Sequence, residues 1–180
     1  TEIYTLSLHD ALPILVVTGA GRAFCAGADL SPEDWDKRTS QAVAAEEIPR
    51  DTAGRFTLVV YEMKKPIIAA INGHATGVGI TMTLPMDVRV AADTAKIGFV
   101  FNRRGMVPEG CSTWFLPRIV GVSLAAELMI SGRIISGRDA LEYGLSAGSL
   151  RRIRSWPRPW GSRGRFGTTP RPCPWPSPGG

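Results

Sequence analysis

Short apolar runs alternate along the middle of the chain with glycine-rich segments and with stretches of helical periodicity. Four runs have the length and the β-branched content of buried strands, at residues 15–18, 67–71, 87–92 and 96–100. The first two are followed by segments rich in Gly and Ala, at residues 19–30 and 72–79. This order of strand, loop and helix predicts an α/β fold whose ligand binds beyond the carboxyl ends of the strands.

The first long helical pattern covers residues 41–65 and is bent near Pro49 and Gly54. Apolar residues at helical spacing predict its buried face, and these are Phe56, Val59, Val60 and Met63. Pro66 is expected to end this helix, because the residue before a proline disfavours helical dihedral angles. An earlier helix is predicted to start at Ser31, where a serine N-cap is followed by a proline.

The chain after residue 79 contains four further helical patterns. Three of them cover residues 80–86, 109–120 and 122–131. Ser136 and Asp139 have the spacing of a capping box and predict a last short helix, which ends at Gly144.

The positive charge of the chain is confined to its C-terminal end. The 180 residues carry a formal net charge of +5, but residues 151–180 contain seven arginines and no lysine, aspartate or glutamate. The first 150 residues hold 14 basic and 16 acidic side chains. The charge of the core therefore gives no reason to expect a nucleic-acid partner.

Composition divides the chain into a leader of residues 1–14, a core of residues 15–145 and a tail of residues 146–180. The tail is rich in Arg, Pro and Trp, has no helical or strand period, and is expected to be disordered. An out-of-frame sequence is the favoured explanation for the tail, and a functional basic arm is the alternative. The leader fits poorly with the core and is also suspected to be foreign.

Several classes of protein are disfavoured by the same composition. No apolar run reaches the ~18 residues that a membrane helix needs, and the start of the chain lacks the pattern of a signal peptide. The three cysteines are too few and too scattered for a disulfide framework or a zinc site. We expect a cytoplasmic protein without a metal ion and without a membrane partner.

Residues 16–21 resemble the opening of a dinucleotide-binding fingerprint. Its third glycine would fall on Phe24, and no acidic residue follows the next strand at the required distance. We therefore expect no nicotinamide cofactor, and no other cofactor is predicted.

The two glycine-rich segments together indicate a different chemistry. Their small residues allow the main chain to approach a ligand closely, and one N–H group from each segment can converge on a single oxygen atom. Such a pair of donors is an oxyanion hole. The alternative is that both segments are tight turns that only connect strands to helices.

Three stretches of the chain resemble the crotonase superfamily, the enoyl-CoA hydratase/isomerase enzymes. They are residues 16–30 (VVTGAGRAFCAGADL), 65–87 (KPIIAAINGHATGVGITMTLPMD) and 103–121 (RRGMVPEGCSTWFLPRIVG). The resemblance implies an α/β fold of repeated ββα units in a superhelix, truncated at both ends, with an open sheet edge before residue 15 and marginal stability. It also implies a coenzyme A thioester as ligand and assembly as a homotrimer or a dimer of trimers.

The resemblance gives main-chain roles to residues of both loops. The N–H groups of Ala28 and Val78 would form the oxyanion hole, although the family usually has glycine at the second position. The residues that would border the substrate and its coenzyme A are Ala26, Asp29, Leu30, Gly77, Phe101 and Pro108. Asp29 has a simpler alternative role, which is to cap the turn before the helix at Ser31.

Glu109 is the catalytic residue that the resemblance implies. Family hydratases use two glutamates to activate water, and Thr81 and Phe101 stand at the matching positions. Residues 108–112 (PEGCS) match the segment in which the family's Δ3,Δ2-enoyl-CoA isomerases place a single acid/base. The expected function is a shift of the 3-enoyl-CoA double bond to the 2-position. Hydratase-type activity and non-catalytic binding of acyl-CoA remain alternatives, and Glu109 could simply open a helix.

Overall fold

The computed structural model describes residues 2–6, 14–28 and 51–150. The predicted helix at Ser31, the first part of the predicted helix over residues 41–65 and the tail beyond residue 150 lie outside these ranges. So do Asp29 and Leu30, two of the residues expected to border the ligand.

A five-stranded sheet forms one layer of the described fold. Its strands in spatial order are β1 (Glu2–Leu6), β2 (Ile14–Thr18), β4 (Ile67–Ile71), β6 (Val88–Ala92) and β9 (Gly148–Leu150). Strands β2, β4, β6 and β9 are parallel, and β1 pairs antiparallel with β2. The strands predicted at residues 15–18, 67–71 and 87–92 are confirmed.

Strand β1 belongs to the segment that its composition set apart as a leader. Its five residues pair with β2 from Glu2 opposite Thr18 to Leu6 opposite Ile14. The expectation of an open edge at β2 is therefore wrong, because β1 satisfies the hydrogen-bonding groups of that edge.

A second sheet consists of four short strands. Its order is β3 (Ala23–Cys25), β5 (His74–Thr76), β7 (Lys96–Gly98) and β8 (Ile134–Ser136). Strands β3, β5 and β7 are parallel, and β8 is antiparallel to β7. The chain thus passes from the first sheet to the second and then into helix, repeatedly. This confirms the predicted α/β fold of repeated ββα units.

Five α-helices and one 3₁₀ turn complete the described residues. The helices are α1 (Thr52–Glu62), α2 (Val78–Thr81), α3 (Ser112–Val120), α4 (Val122–Ser131) and α5 (Gly137–Glu142), and the 3₁₀ turn spans Phe101–Arg104. The capping box of Ser136 and Asp139 is present at the start of α5. The helix predicted over residues 80–86 is wrong, because α2 begins two residues earlier and ends in turns.

The buried face predicted for the first long helix is confirmed only at Val60, which is 7% exposed. In α1 the buried residues are Ala53, Gly54, Thr57 and Val60, whereas Phe56 and Val59 are 40% and 61% exposed. Small side chains face inward because α1 packs closely on the segment around Gly110, where Thr57 forms a hydrogen bond. Close approach of the main chain determines the orientation of this helix. The pattern of hydrophobic residues contains no information on such a contact.

The core is contributed by both sheets and by the helices that cover them. Its largest fully buried apolar side chains are Phe24, Ile71, Ile80, Ile97, Phe99, Leu116, Leu128, Ile135 and Leu145. These residues come from every repeat of the described fold, so one continuous core supports both sheets.

Two side chains hold turns of the main chain in place. Asn72, directly after β4, accepts a hydrogen bond from the N–H of Gly19 and donates to the carbonyls of Gly19 and Gly21. It therefore ties the corner after β4 to the corner after β2.

Arg89 in β6 holds the turn that follows α2. Its guanidinium donates to four main-chain carbonyls at 2.6 to 3.2 Å, those of Thr83, Leu84, Met86 and Leu145. Burial lowers the pKa of Arg89, and the nearby charge of Asp87 opposes that effect. The guanidinium stays charged at neutral pH because its ordinary pKa is so high.

Candidate active site

The two glycine-rich segments lie side by side at the carboxyl ends of β3 and β5. The hydroxyl of Thr76 donates to the carbonyl of Ala26 at 2.8 Å. A Cβ atom added to Gly79 would lie 2.0 Å from the carbonyl oxygen of Cys25, so these two main chains are in direct contact. The parallel pairing of β3 and β5 therefore brings residues 26–28 and 77–79 together.

Gly77 forms the turn between β5 and α2. It has φ 56° and ψ −126°, a conformation that only glycine adopts without strain. Its N–H donates to the carbonyl of Gly98 at 3.0 Å. The ring of Phe101 lies 4.0 Å from the place where a Cβ of Gly77 would stand, so this buried aromatic side chain supports the turn.

Val78 is the first residue of α2 and does not share the positive φ of Gly77. A β-branched side chain is therefore accepted at this position, and only the preceding residue must be glycine. Among the hydrogen bonds between described residues, none uses the N–H of Val78 or of Ala28. Both groups can donate to a ligand. Because α2 has only four residues, its dipole adds little to this donor.

Glu109 lies in the irregular segment between the 3₁₀ turn and α3, and it is partly buried. Its carbonyl accepts a hydrogen bond from the N–H of Ser112 at 3.2 Å. The prediction that a helix starts at residue 109 is wrong, because Gly110 and Cys111 have φ of 66° and 54° and α3 starts only at Ser112. The interpretation of Glu109 as an ordinary residue of the first helical turn is therefore wrong as well.

Gly110 joins the segment of Glu109 to the two loops. A Cβ atom at Gly110 would lie 2.5 Å from Oγ1 of Thr81, which is in α2 three residues after Val78. The N–H of Gly110 donates to Oδ1 of Asp51 at 3.3 Å, and its carbonyl accepts from Oγ1 of Thr57 at 3.2 Å. The segment that carries Glu109 thus packs against α2, the helix that follows the second loop, and we take this region as the candidate site.

An open cleft of about 590 Å³ lies at the opposite ends of β3 and β5. It is lined by Ala20, Gly21, Arg22, Ala23, Phe24 and His74. This lining contains no carboxylate, so we place the candidate site at the contact of the two loops and not in the cleft.

Neither a metal site nor a membrane-spanning helix is present in the described part of the chain. Among the described residues, no three His, Cys, Asp or Glu side chains are close enough to hold a metal ion. Within the same ranges, no helix has the length and apolar character needed to cross a bilayer.

A sequence profile of the enoyl-CoA hydratase/isomerase family matches residues 8–148. The chain belongs to this family. The resemblance of its three motifs to the crotonase superfamily is therefore confirmed. Members of this enoyl-CoA hydratase/isomerase family act on acyl-CoA thioesters.

The relatives include both hydratases and an isomerase. An enoyl-CoA hydratase of Alternaria alternata is 41% identical over 140 residues, covering 78% of this chain and 46% of the relative. A 1,2-epoxyphenylacetyl-CoA isomerase of Escherichia coli is 34% identical over 139 residues, covering 76% and 52%. The chain thus spans about half the length of these relatives.

A crystal structure of an enoyl-CoA hydratase from Bacillus anthracis has the same fold. It is 36% identical, has a TM-score of 0.66, and the match covers 76% of this chain and 52% of that one. These comparisons support the enoyl-CoA hydratase/isomerase family as a whole. The expected closeness to its Δ3,Δ2-enoyl-CoA isomerases stays a prediction.

The structure brings together most of the residues that the family resemblance singled out. Ala26, Ala28, Gly77, Val78, Phe101, Pro108 and Glu109 lie on the contacting segments described above. The positions of the two hydratase glutamates hold Thr81 and Phe101, and both side chains are buried. Asp51 and Thr57 were not anticipated, because each lies more than 50 residues from Gly110 along the chain.

Proposed function

We propose that this chain is the core of an acyl-CoA-processing enzyme that shifts a 3-enoyl-CoA double bond to the 2-position. The observation that supports this proposal is the contact of Gly110, which follows Glu109, with Thr81 in α2, the helix that follows the second loop. Positions 81 and 101 offer no carboxylate. A single carboxylate suits a reaction that moves one proton and adds no water.

The main chain would stabilise the charge that develops on the substrate. The N–H groups of Ala28 and Val78 would donate to the thioester oxygen, and this would make a proton on C2 more acidic. Each such donor typically contributes ~10²–10³ in rate, because it is already oriented towards the developing oxyanion. The close packing of Gly79 on Cys25 supports this pairing of the loops.

Glu109 would move the proton. Its carboxylate would remove a proton from C2, the dienolate would form, and the same carboxyl group would return the proton to C4. General acid–base catalysis of this kind typically contributes ~10²–10⁴ in rate. No metal ion or cofactor is required, because the substrate itself carries the thioester.

The remaining contacts of the ligand are proposed from the family resemblance. Main-chain atoms of Ala26, Asp29 and Leu30 would border the coenzyme A moiety. Gly77, Phe101 and Pro108 would border the acyl group. A homotrimer or a dimer of trimers is the assembly that we propose for the whole protein.

A hydratase-type activity is the second candidate function, because several relatives carry that name, among them the Alternaria alternata protein. Its chemistry would need a water activated by Glu109 alone. Non-catalytic binding of acyl-CoA is the remaining alternative.

The test compares turnover of a 3-enoyl-CoA by the parent chain, by Glu109→Gln and by Glu142→Gln. The last is a matched control, because Glu142 is an exposed residue at the end of α5. The isomerase proposal expects the conjugated thioester to appear with the parent and with Glu142→Gln, and not with Glu109→Gln. Equal turnover by all three would remove Glu109 from the mechanism. Hydration of a 2-enoyl-CoA without isomerisation would establish the second candidate instead.

A further inference from the structure

The main chain directly after Glu109 is held by two side chains of one helix, its N-cap and a residue in its middle. Asp51, the N-cap of α1, accepts the N–H of Gly110 through Oδ1 at 3.3 Å. Thr57, in the middle of α1, donates its hydroxyl to the carbonyl of Gly110 at 3.2 Å. The side chain of Thr57 is completely buried. Both polar main-chain groups of Gly110 are thus bound by the same helix, and we call Asp51 and Thr57 the Gly110 clamp.

The clamp restrains the main chain next to the Glu109 side chain. The carbonyl of Glu109 and the N–H of Gly110 belong to one peptide plane. Ser112 binds the first of these groups and Asp51 binds the second. These two hydrogen bonds fix the orientation of the peptide plane. They therefore restrict the ψ angle of Glu109 and, with it, the direction of the Cα–Cβ bond.

The conformation of the turn shows why it needs this support. Gly110 and Cys111 both have positive φ, and Cys111 is the one non-glycine residue in the described ranges that does. A left-handed conformation costs roughly 1–2 kcal/mol for a residue with a Cβ atom. The hydrogen bonds of Gly110 to Asp51 and Thr57 offset part of this cost.

We propose that Thr57 and Asp51 are positioning residues for Glu109, acting through Gly110. This inference rests on the proposed function, since it assigns Glu109 the proton transfer. Acid–base catalysis needs heavy-atom distances of ~2.6–3.2 Å to the reacting group, and a displacement of ~1 Å can cost ~10²-fold in rate. The clamp would therefore act on kcat, while substrate binding by the two loops would be largely preserved.

A second buried threonine provides a matched control. Thr83 is as fully buried as Thr57, and its hydroxyl donates to the carbonyl of Ile80 at 2.8 Å, within the same local turn. Replacing either residue by valine removes one buried hydroxyl and keeps the β-branched shape. Only Thr57→Val removes a hydrogen bond to Gly110. Thr57 is a cleaner probe than Asp51, because Asp51 also caps α1 through the N–H of Gly54.

The experiment measures kcat and KM for a 3-enoyl-CoA with the parent chain, Thr57→Val, Thr57→Ser and Thr83→Val. We expect Thr57→Val to lower kcat about 10- to 100-fold with little change in KM, and Thr57→Ser to recover most of that loss. Thr83→Val should keep the parent kcat, even where its melting temperature falls as far as that of Thr57→Val.

The outcomes separate this inference from the function on which it rests. Turnover by the parent combined with equal kcat for Thr57→Val and Thr83→Val would overturn the positioning role alone. A folded parent without turnover would overturn the proposed function and, with it, the positioning role.

Discussion

A single substitution can delete the proposed donor at Val78 without removing a hydrogen bond from the fold. Proline is well accepted at the first position of a helix, because the N–H there has no partner inside the helix. Val78 occupies that position in α2. The preceding Gly77, with φ 56° and ψ −126°, is close to the mirror image of polyproline II and has no Cβ to collide with a proline ring. We therefore expect Val78→Pro to keep α2 and to lose only the donor.

The magnitude depends on the charge that the donor would face. A lost oxyanion donor costs ~10²–10³ in kcat, which corresponds to about 2.7–4 kcal/mol of transition-state stabilisation. The N–H of Val78 forms no hydrogen bond with another described residue. The free energy of unfolding should therefore change by less than about 1 kcal/mol. Because an enolate oxygen carries more charge than a thioester carbonyl, most of the loss should appear in kcat and little in KM.

The assay is turnover of a 3-enoyl-CoA by Val78→Pro and Val78→Ala, prepared together and checked for folding by circular dichroism. Val78→Ala trims the side chain and keeps the N–H, so it should retain nearly the parent rate. If both folded variants turned over at similar rates, the N–H of Val78 would not be an oxyanion donor and the reasoning would be refuted.

Two further predictions concern stability. Arg89→Met should lower the free energy of unfolding in urea by about 2–6 kcal/mol, from four hydrogen bonds at ~0.5–1.5 kcal/mol each, whereas Arg138→Met, at an exposed residue 3.6 Å from Asp93, should cost less than about 1 kcal/mol. Similar losses in both variants would contradict the role given to Arg89. The N–H and then the hydroxyl of Ser136 hold the pKa of Asp139 below its ordinary value. Its stabilisation is thus present above the ordinary pKa of ~3.9 and is lost as the pH falls through the folded-state value. Unfolding followed below about pH 4 should depend less on pH in Asp139→Asn than in the parent, and equal slopes would exclude this contribution.

The sequence predicted those elements whose signal is local and strong. The β-branched runs of β2 and β4 and the capping box of α5 were identified correctly, because each pattern is complete within a few residues. The strands β3 and β5 were missed, because each has three residues and lies inside a segment rich in Gly and Ala. Such strands form only because parallel neighbours are available, and no local pattern records that.

The sequence likewise predicted only part of the candidate site. Glu109 and the two loops were found from short motifs, each of which lies within one segment of the chain. The partners that hold Gly110 were not found, because Thr57 and Asp51 are 53 and 59 residues away from it. The same long-range packing turned small residues of α1 inward and left larger apolar residues exposed, against the hydrophobic pattern.

The hydrogen bonds of Asn72 restrict the length of the connection between β2 and β3. Residues 20–22 of this connection are exposed, and exposed connections ordinarily tolerate insertions. Here the side-chain amide of Asn72 binds two residues of the connection, Gly19 and Gly21. One additional residue between Gly19 and Gly21 would have to bulge outward or break a hydrogen bond to Asn72, while the pairing of β3 with β5 would keep Ala28 in place. The length of this loop is therefore restricted by Asn72, even though the side chains of residues 20–22 are exposed.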